Sequence, residues 1–363
     1  MQIGFVGLGA VVETAYLPAL KRLSSQPEIC WGFDVNPDRR LPGVQCCESL
    51  ASLLAKPLDM LFITTTSLQH LPILEAALTF TVANIVIEKP VVATLAQISR
   101  LRVLLNDPDS ARRVLALDHW MARAGALKLA LGELDSSWQA ENGNPPGQPL
   151  ITSLQDIVRI DGFLQEPSGF NEKGEPVALN FATGEIDTRQ LHHPDGVIVD
   201  IGTHVLAMLR ETLHHCGGDN FLHLEVQSAK DRLGVPITQG DLQTAEGEAH
   251  LFGELCGIPV NIYLNKYAGS AGGQKGIRLW LRDGKIISQD RERSGEVVEL
   301  IDGRQTLRWR KPGAVYAHCL QDCILGANSV FTQAPNNVAQ LTQRRIEEVE
   351  ALLQLQQQLR GPH

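Results

Sequence analysis

The sequence predicts two α/β domains: a doubly wound parallel sheet, followed by an α+β domain with a mostly antiparallel, open sheet. Strand and helix signals alternate over the first ~120 residues, which is typical of a parallel sheet. Beyond residue 122 the strands are longer and hairpin turns separate them, which indicates antiparallel pairing. The predicted domains are therefore residues 1–122 and 123–363.

Short apolar runs predict the parallel sheet of the first domain. The predicted strands are Gln2 to Val6, Ile29 to Phe33, Met60 to Ile63, Asn84 to Ile87 and Val114 to Leu117. The helices predicted between them are Val11 to Leu23, Leu50 to Leu54, Leu71 to Leu78 and Leu95 to Leu105. Pro18 falls within the first helix and is expected to kink it, because proline lacks a backbone donor.

Hairpin signals predict the second domain. Asp283-Gly284 lies between two apolar runs and is a strong signal for a tight turn, and Gly257 separates two others. The predicted strands are Ile151 to Ile160, Leu222 to Ala229, Thr244 to Phe252, Pro259 to Lys266, Gly276 to Leu281, Lys285 to Ser288, Val297 to Ile301 and Thr306 to Arg310. Apolar residues at helical spacing predict a final helix over 337–359, which we expect to pack back on the first domain.

Composition argues against several classes of protein. The 363 residues, 44% of them hydrophobic, can bury a full core, and the net charge of -9 argues against a nucleic-acid partner. Apolar runs fall far short of the ~20 residues of a membrane span, and the first strand leaves no room for a signal peptide. We therefore expect a cytoplasmic protein without a membrane partner. The seven cysteines lack zinc-type spacing, which predicts neither a disulfide framework nor a metal site.

Gly7 and Gly9 follow the first strand directly, like the first two glycines of a dinucleotide-binding fingerprint. Ala10 and Val11 then stand at the amino terminus of a helix, which can face a pyrophosphate. Val12 occupies the position of the usual third glycine. The alternative is a tight strand-to-helix turn that binds no ligand.

Asp34 ends the second strand 25 residues beyond Gly9, where an acid would hold both hydroxyls of a ribose. A carboxylate beside a 2′-phosphate would cost on the order of several kcal/mol, so Asp34 favours NAD. Arg39 and Arg40 weaken this argument for NAD, because either side chain could turn toward a 2′-phosphate. The simpler interpretation is that both are solvated turn residues. NAD is the expected cofactor and NADP the alternative.

Glu88, Lys89 and Pro90 follow the apolar strand that ends at Ile87. Proline disfavours helical geometry in the residue before it, so Lys89 is held extended at the carboxyl end of a strand. Ligands of open α/β sheets bind at that edge. This motif therefore predicts a lysine beside the dinucleotide site.

Asp200 and His204 are four residues apart. If a helix begins at Val197, both side chains project from one face within hydrogen-bonding range. A neighbouring carboxylate fixes the tautomer of a histidine and supports its charged form, which makes a base with an orienting acid. The same spacing also occurs in ion pairs that only stabilise a helix.

These motifs together resemble the Gfo/Idh/MocA family of glucose-fructose oxidoreductase, inositol dehydrogenase and MocA, and the resemblance covers nearly all of the chain. The matching residues are Gly7 and Gly9 with Leu17-Pro18-Ala19-Leu20 after them, Asp34, Thr64-Thr65-Thr66 followed by His70, Glu88-Lys89-Pro90, and Asp200-Ile201-Gly202-Thr203-His204. The resemblance implies a Rossmann domain and an α+β domain whose open sheet serves the contacts of a homodimer or homotetramer. It also implies hydride exchange between a nicotinamide and a carbinol carbon of a sugar, cyclitol or related polyol.

The resemblance also assigns roles to residues. Lys89 would hold the reacting hydroxyl, His204 would accept its proton, and Asp200 would orient His204 or bind a neighbouring hydroxyl. Which of Lys89 and His204 is the formal base stays open, because the two could share one proton relay. The implied cofactor contacts are Gly7, Gly9, Ala10, Val11, Asp34, Thr64, Thr65, Thr66, His70, Glu88 and Pro90.

Further candidates concern the substrate. His119, Trp120 and Arg123 follow the fifth strand and could form a substrate wall, but Trp120 could equally pack at a domain interface. The segment from 161 to 195 is long, is rich in Gly and Pro, and adjoins the Asp200 helix. We predict that it is a specificity lid that includes His193.

Three functions fit these features. The leading one is an NAD(P)-dependent oxidoreductase acting on a sugar, cyclitol or related polyol. The alternatives are a glycoside hydrolase or epimerase that retains its NAD, and a non-catalytic regulator that senses a dinucleotide. The intact set of Lys89, Asp200 and His204 weighs against the regulator, since a sensor does not need all three.

Overall fold

The computed structural model describes residues 1–179, 184–187, 191–333 and 335–361. The chain divides into two compact units, Met1–Ala122 with Tyr316–Glu350 and Arg123–Val315 with Ala351–His363. The first unit contains an all-parallel sheet and the second a mostly antiparallel one, which confirms the predicted fold class.

Six parallel strands form the sheet of the first unit: β1 Gln2–Val6, β2 Ile29–Phe33, β3 Gln45–Cys46, β4 Met60–Ile63, β5 Asn84–Ile87 and β6 Val114–Ala116. Their order in the sheet is β3-β2-β1-β4-β5-β6. The direction of winding changes between β1 and β4, and ligands of such sheets bind in the crevice at that switch point. β3 was not predicted, because its two residues are exposed and too few to show a pattern.

The helices of this part of the chain are α1 Leu17–Leu20, α2 Leu50–Leu54, α3 Ser67–Phe80, α4 Leu95–Leu105 and α5 Pro108–Arg113. The helix after the glycine turn takes up Pro18 by changing type. Val12–Tyr16 is π-helical, and α1 then begins with Pro18 in its first turn, where a missing N–H costs nothing. The predicted kink thus takes the form of a π-helical turn.

The second unit contains a nine-stranded sheet and a separate hairpin. Its strands are β7 Gln139–Asn142, β8 Ile157–Gln165, β9 Ser168–Phe170, β10 Pro176–Ala178, β11 Leu222–Lys230, β12 Glu248–Leu255, β13 Ile258–Asn265, β14 Lys275–Leu281, β15 Ile286–Glu292, β16 Gly295–Asp302 and β17 Gln305–Pro312. The large sheet has the order β11-β12-β13-β8-β14-β15-β16-β17-β7, and only β13 and β8 pair in parallel. β9 and β10 form the hairpin.

The remaining helices are α6 Gly125–Ala130, α7 Val197–Asp200, α8 Gly202–His215, α9 Val315–Cys319, α10 Val330–Gln333 and α11 Pro335–Arg360. α8 packs closely on one face of the large sheet. A Cβ on Gly162 of β8 would lie 2.3 Å from Val205 Cγ1, so glycine lets the helix approach the strand.

Two strands of the second unit begin later than predicted, because side chains cap local turns before them. Asp156 Oδ2 accepts the Thr152 N–H at 2.7 Å, and β8 starts only after a 3₁₀ turn. Asp241 Oδ1 likewise accepts the Thr244 N–H at 3.1 Å, ahead of β12. Such side-chain-to-backbone bonds compete with strand pairing.

Among the described residues, no helix combines the length and apolarity needed to cross a bilayer.

Candidate functional site

The turn after β1 requires glycine at position 7. Gly7 has a φ of +91°, and a Cβ there would lie 2.9 Å from the Thr64 carbonyl oxygen and from Thr65 Cγ2. The Gly7 N–H donates to the Phe33 carbonyl at 2.8 Å, which fastens the turn to β2. Backbone conformation and close contact both exclude a side chain, as the first glycine of a dinucleotide turn requires.

Gly9 lacks a side chain for a different reason. Apart from its chain neighbours, no heavy atom of the described residues lies within 4 Å of the place a Cβ would take. The Gly9 carbonyl accepts the Val12 N–H at 3.1 Å, and Ala10 and Val11 are the first helical residues. Protein packing therefore gives no reason for glycine here, whereas the close approach of a pyrophosphate to a helix amino terminus does.

Asp34 closes the turn from the end of β2. Its Oδ2 accepts the Leu8 N–H at 2.7 Å, and its Oδ1 accepts the Asn36 N–H at 2.9 Å. The carboxylate therefore stands beside the glycine turn, where the ribose of a dinucleotide lies in this fold. Each oxygen has a second lone pair with which it can accept a ribose hydroxyl.

Arg39 is fastened to the same turn. Its Nε donates to the Leu8 carbonyl at 2.7 Å, and a terminal nitrogen donates to Glu13 Oε2 at 2.6 Å. Arg39 is thus a partly exposed turn residue with two fixed partners, whereas Arg40 is exposed. Asp34 and Arg39 both contact Leu8, so an acid and a cation stand at the ribose end of the turn.

The threonines after β4 include two that contact the glycine turn after β1. Thr64 is buried, and its hydroxyl lies 3.0 Å from the Val6 carbonyl oxygen and 2.7 Å from that of Gly7. Thr65 is half-buried and places its methyl group against Gly7, while Thr66 is exposed and precedes α3. The Thr64 hydroxyl thus shapes the turn, and Thr65 and Thr66 are the more accessible of the three.

His70 joins two segments of the site. Its Nδ1 lies 3.0 Å from the Pro90 carbonyl oxygen and its Nε2 lies 3.1 Å from that of Thr65. Burial lowers the pKa of His70, against the opposing effect of these carbonyl contacts, because the charged ring is poorly solvated there. His70 therefore lies between the threonine turn and Pro90, and as a neutral ring with one N–H it donates to one of these two carbonyls.

Glu88 is held by a residue that the sequence motifs did not indicate. The buried Tyr16 hydroxyl donates to Glu88 Oε1 at 2.5 Å, and Glu88 Oε2 accepts the Lys89 N–H at 3.1 Å. Burial raises the pKa of Glu88 although Tyr16 and Lys89 act to lower it, and burial raises the pKa of Tyr16. Both oxygens of Glu88 thus have partners, and Lys89 and Pro90 follow, half-buried.

The second unit contains Asp200 and His204, but not on the single helix predicted from the sequence. α7 ends at Asp200, Ile201 has φ −110° and ψ −17°, and α8 starts at Gly202. Asp200 is half-buried and His204 is buried. The Asp200 carboxylate accepts a hydrogen bond from the Lys266 ammonium group, which a spacing argument could not find because the two residues are far apart in sequence.

The candidate substrate residues have mixed surroundings. Trp120 is buried in the first unit, and His119 stacks on Tyr316 with ring centroids 4.0 Å apart. Arg123 forms a buried ion pair with Glu296 at 2.7 Å in the second unit, which makes it an interior residue there. His193 is half-buried. Residues 180–183 and 188–190 of the predicted lid lie outside the described residues.

Comparison with known proteins identifies the first unit. Residues 1–111 match the family model GFO_IDH_MocA, an oxidoreductase family with an NAD-binding Rossmann fold, which confirms the resemblance drawn from the motifs. None of the curated protein sequences matches the chain.

Solved structures share the fold of the whole chain. A variant of KijD10, a 3-ketoreductase from Actinomadura kijaniata in complex with TDP-benzene and NADP, aligns with a TM-score of 0.63 and 12% identity over 100% of this chain and 98% of that one. GnnA from Acidithiobacillus ferrooxidans, a UDP-N-acetylglucosamine 3-dehydrogenase, aligns with a TM-score of 0.60 and 15% identity over 98% of both chains. At such identities the likeness shows the fold alone.

Proposed function

Because residues 1–111 match the family model of the Gfo/Idh/MocA oxidoreductases with their NAD-binding Rossmann fold, we propose that the protein interconverts a carbinol and a carbonyl group on a sugar, cyclitol or related polyol. When bound, the nicotinamide ring of NAD(P) supplies the hydride acceptor or donor for this chemistry. The solved structures of the same fold include a 3-ketoreductase in complex with TDP-benzene and NADP and a UDP-N-acetylglucosamine 3-dehydrogenase, and the latter supports a sugar-type substrate.

One observation carries the proposal: the glycine turn is built for a ligand. Gly7 is required by the protein itself, but the space beside Gly9 is open. Asp34 and Arg39 are both fastened at the ribose end of that turn. Asp34 and Arg39 also fasten the turn itself, but protein packing gives no reason for the open space beside Gly9, whereas a bound pyrophosphate does.

The proposed acid-base residues are Lys89, Asp200 and His204. Lys89 follows β5, and its backbone N–H is held by the Glu88 carboxylate. We assign to Lys89 the stabilisation of negative charge on the reacting oxygen, and to His204 the transfer of its proton. Asp200 orients His204 or binds a neighbouring hydroxyl. Lys89 and His204 share the proton, so neither is assigned alone as the base.

The proposed dinucleotide is NAD, with NADP as the competing cofactor. The Asp34 carboxylate suits two free ribose hydroxyls and repels a phosphate. Arg39 works in the opposite direction, because its guanidinium beside Leu8 is a partner for a 2′-phosphate. The two side chains together predict a preference for NAD that is smaller than Asp34 alone would give.

We also propose that the protein is a cytoplasmic homodimer or homotetramer. The face of the large sheet opposite α8 carries a half-buried aromatic row, in which Tyr263 stacks on Phe163 at 5.2 Å and on His250 at 4.4 Å. Aromatic side chains are enriched in protein interfaces, and a second copy is the proposed partner. Light scattering after size-exclusion chromatography should give the mass of a dimer or tetramer, and a monomer would contradict the proposal. Cell fractionation tests the location.

The decisive experiment is a titration with NADH and NADPH, followed by an absorbance assay of nicotinamide turnover against a panel of polyols, sugars and their keto forms. Gly7→Ala should abolish binding, whereas Gly303→Ala should not, because Gly303 also has a positive φ (+58°) but lies in the turn between β16 and β17 of the second unit. Lys89→Ala or His204→Ala should lower turnover about 100-fold or more with little change in cofactor affinity. A chain that binds neither dinucleotide would contradict the proposal.

A further inference from the structure

Lys266, directly after β13, forms an ion pair with Asp200 inside the second unit. The Lys266 side chain is 12% exposed and that of Asp200 is 36% exposed, so the cation is the more deeply buried partner. Burial is the largest single influence and acts to lower the pKa of Lys266, but the Asp200 carboxylate together with Glu166 and Tyr267 outweighs it, so the pKa is raised. Glu166 and Tyr267 also face this ammonium group. Lys266 therefore stays charged beside a proposed acid-base residue.

The backbone segments that carry the two partners are hydrogen-bonded to adjacent residues, Glu246 and Gly247. The Glu246 carbonyl accepts the Val197 N–H at 2.9 Å, at the start of α7. The Gly247 carbonyl accepts the Lys266 N–H at 3.0 Å. The Glu246 carboxylate is itself paired with a fully buried arginine. The backbone segments that carry Asp200 and Lys266 are thus both hydrogen-bonded to the short stretch 246–247.

The break between α7 and α8 makes the contact with Lys266 important for the orientation of the Asp200 side chain. A continuous helix would orient Asp200 relative to His204 by its geometry alone. Here the helix is interrupted at Ile201, so the direction of the Asp200 side chain needs a further constraint. The Lys266 ammonium group supplies one such constraint by donating to Asp200 Oδ2.

We propose that Lys266 is a positioning residue, whose ammonium group holds the Asp200 carboxylate in the orientation in which it serves His204 or a substrate hydroxyl. This inference rests on the proposed function, because it concerns the residues to which that function assigns acid-base work. Lys266 acts through Asp200, without a contact of its own to the reacting atoms.

The test compares Lys266→Met, which removes the charge but keeps the length, with Lys266→Arg, which keeps the charge. Lys266→Met should lower kcat about 10- to 100-fold, as misplaced catalytic groups do, and Lys266→Arg should restore most of it. In an Asp200→Asn background, Lys266→Met should cost less than about 2-fold more, because coupled residues are not additive. Lys230→Met is the matched control, since Lys230 pairs with Glu248 at 3.3 Å elsewhere in the same unit.

Hydrogen exchange gives a second readout that is independent of turnover. Amides of residues 200–204 should exchange faster in Lys266→Met than in the wild type, and should recover in Lys266→Arg. An unchanged exchange pattern overturns the positioning role, even if the wild type shows no turnover. If Lys266→Met speeds exchange and Lys266→Arg restores it, but the wild-type protein oxidises and reduces no compound of the panel, then only the proposed function is overturned. Equal losses of kcat in the wild-type and Asp200→Asn backgrounds also overturn the inference, because Lys266 would then act independently of Asp200.

Discussion

The Tyr16 hydroxyl donates a hydrogen bond of 2.5 Å to Glu88 Oε1 in the interior of the first unit. The Tyr16 ring is held by Phe62 and Tyr316, with centroids 5.1 and 5.4 Å away. This contact links the helix after the glycine turn to the residue that precedes Lys89. It is thus the direct physical connection between the cofactor turn and a proposed catalytic side chain.

Tyr16→Phe should destabilise the protein and reduce turnover. The substitution leaves a buried carboxylate without its donor, which costs roughly 1–3 kcal/mol in the free energy of unfolding. Urea unfolding measures this loss, and Tyr263→Phe on the half-buried sheet face is the matched control, with an expected change near zero. Unchanged stability and turnover in Tyr16→Phe would show that Glu88 needs no donor from Tyr16.

Arg39→Gln should weaken NADPH binding about tenfold and leave NADH binding nearly unchanged, because a charge-assisted hydrogen bond is worth roughly 1.5 kcal/mol or more. Fluorescence titration with both dinucleotides measures the ratio of affinities. Arg40→Gln, which removes the exposed neighbouring cation, should change neither affinity. A parallel loss of both affinities in Arg39→Gln would instead mean that Arg39 only supports the turn.

His70 should make stability depend on pH. Its pKa is lowered in the folded state from the ordinary 6.5, so below pH 6.5 the unfolded chain binds a proton that the folded chain resists. Its contribution to stability is therefore present above pH 6.5 and is lost as the pH falls through the lowered pKa. We expect the difference in unfolding free energy between wild type and His70→Gln to shrink from pH 7 to pH 5. A difference that grows over that range would show that the imidazolium is the stabilised form.

Arg360→Met should lower the free energy of unfolding by about 3–5 kcal/mol, because it leaves the Glu246 carboxylate charged and unpaired in the interior. Arg360 pairs with Glu246 at 2.6 Å, and both side chains are 0% exposed. Arg232→Met is the control, since its pair with Glu175 is about 40% exposed on the arginine side and worth ~1 kcal/mol at most. Equal losses from the two substitutions would contradict this ranking.

Short-range patterns account for what was predictable. β1, β2, β4 and β5 have the predicted bounds, because each is a short, mostly apolar run, largely buried in β1, β4 and β5 and half-buried in β2. The positions of helix breaks and of strand starts were harder to predict from the sequence. The late start of β8 follows from a local capping box, Ser153 to Asp156, that the prediction from apolar residues overlooked, and the interruption at Ile201 has no counterpart in the apolar pattern.

The candidate site shows the same limit. Gly7, Asp34 and Lys89 belong to motifs with known spacing, so they could be proposed from the sequence. Tyr16 and Lys266 reach Glu88 and Asp200 across 72 and 66 residues, and only the fold brings them together. Arg39 was visible in the sequence, but its bond to the Leu8 carbonyl was not.

Asp34 serves two purposes, and this constrains any attempt to redesign the cofactor preference. Its carboxylate is the proposed ribose partner, yet its Oδ2 also closes the glycine turn through the Leu8 N–H. Replacing it by alanine or glycine to admit a phosphate would leave that amide without its acceptor. Asparagine keeps an oxygen for Leu8 while removing the negative charge, so it is the starting point from which a phosphate-accepting version of this turn can be built without loosening it.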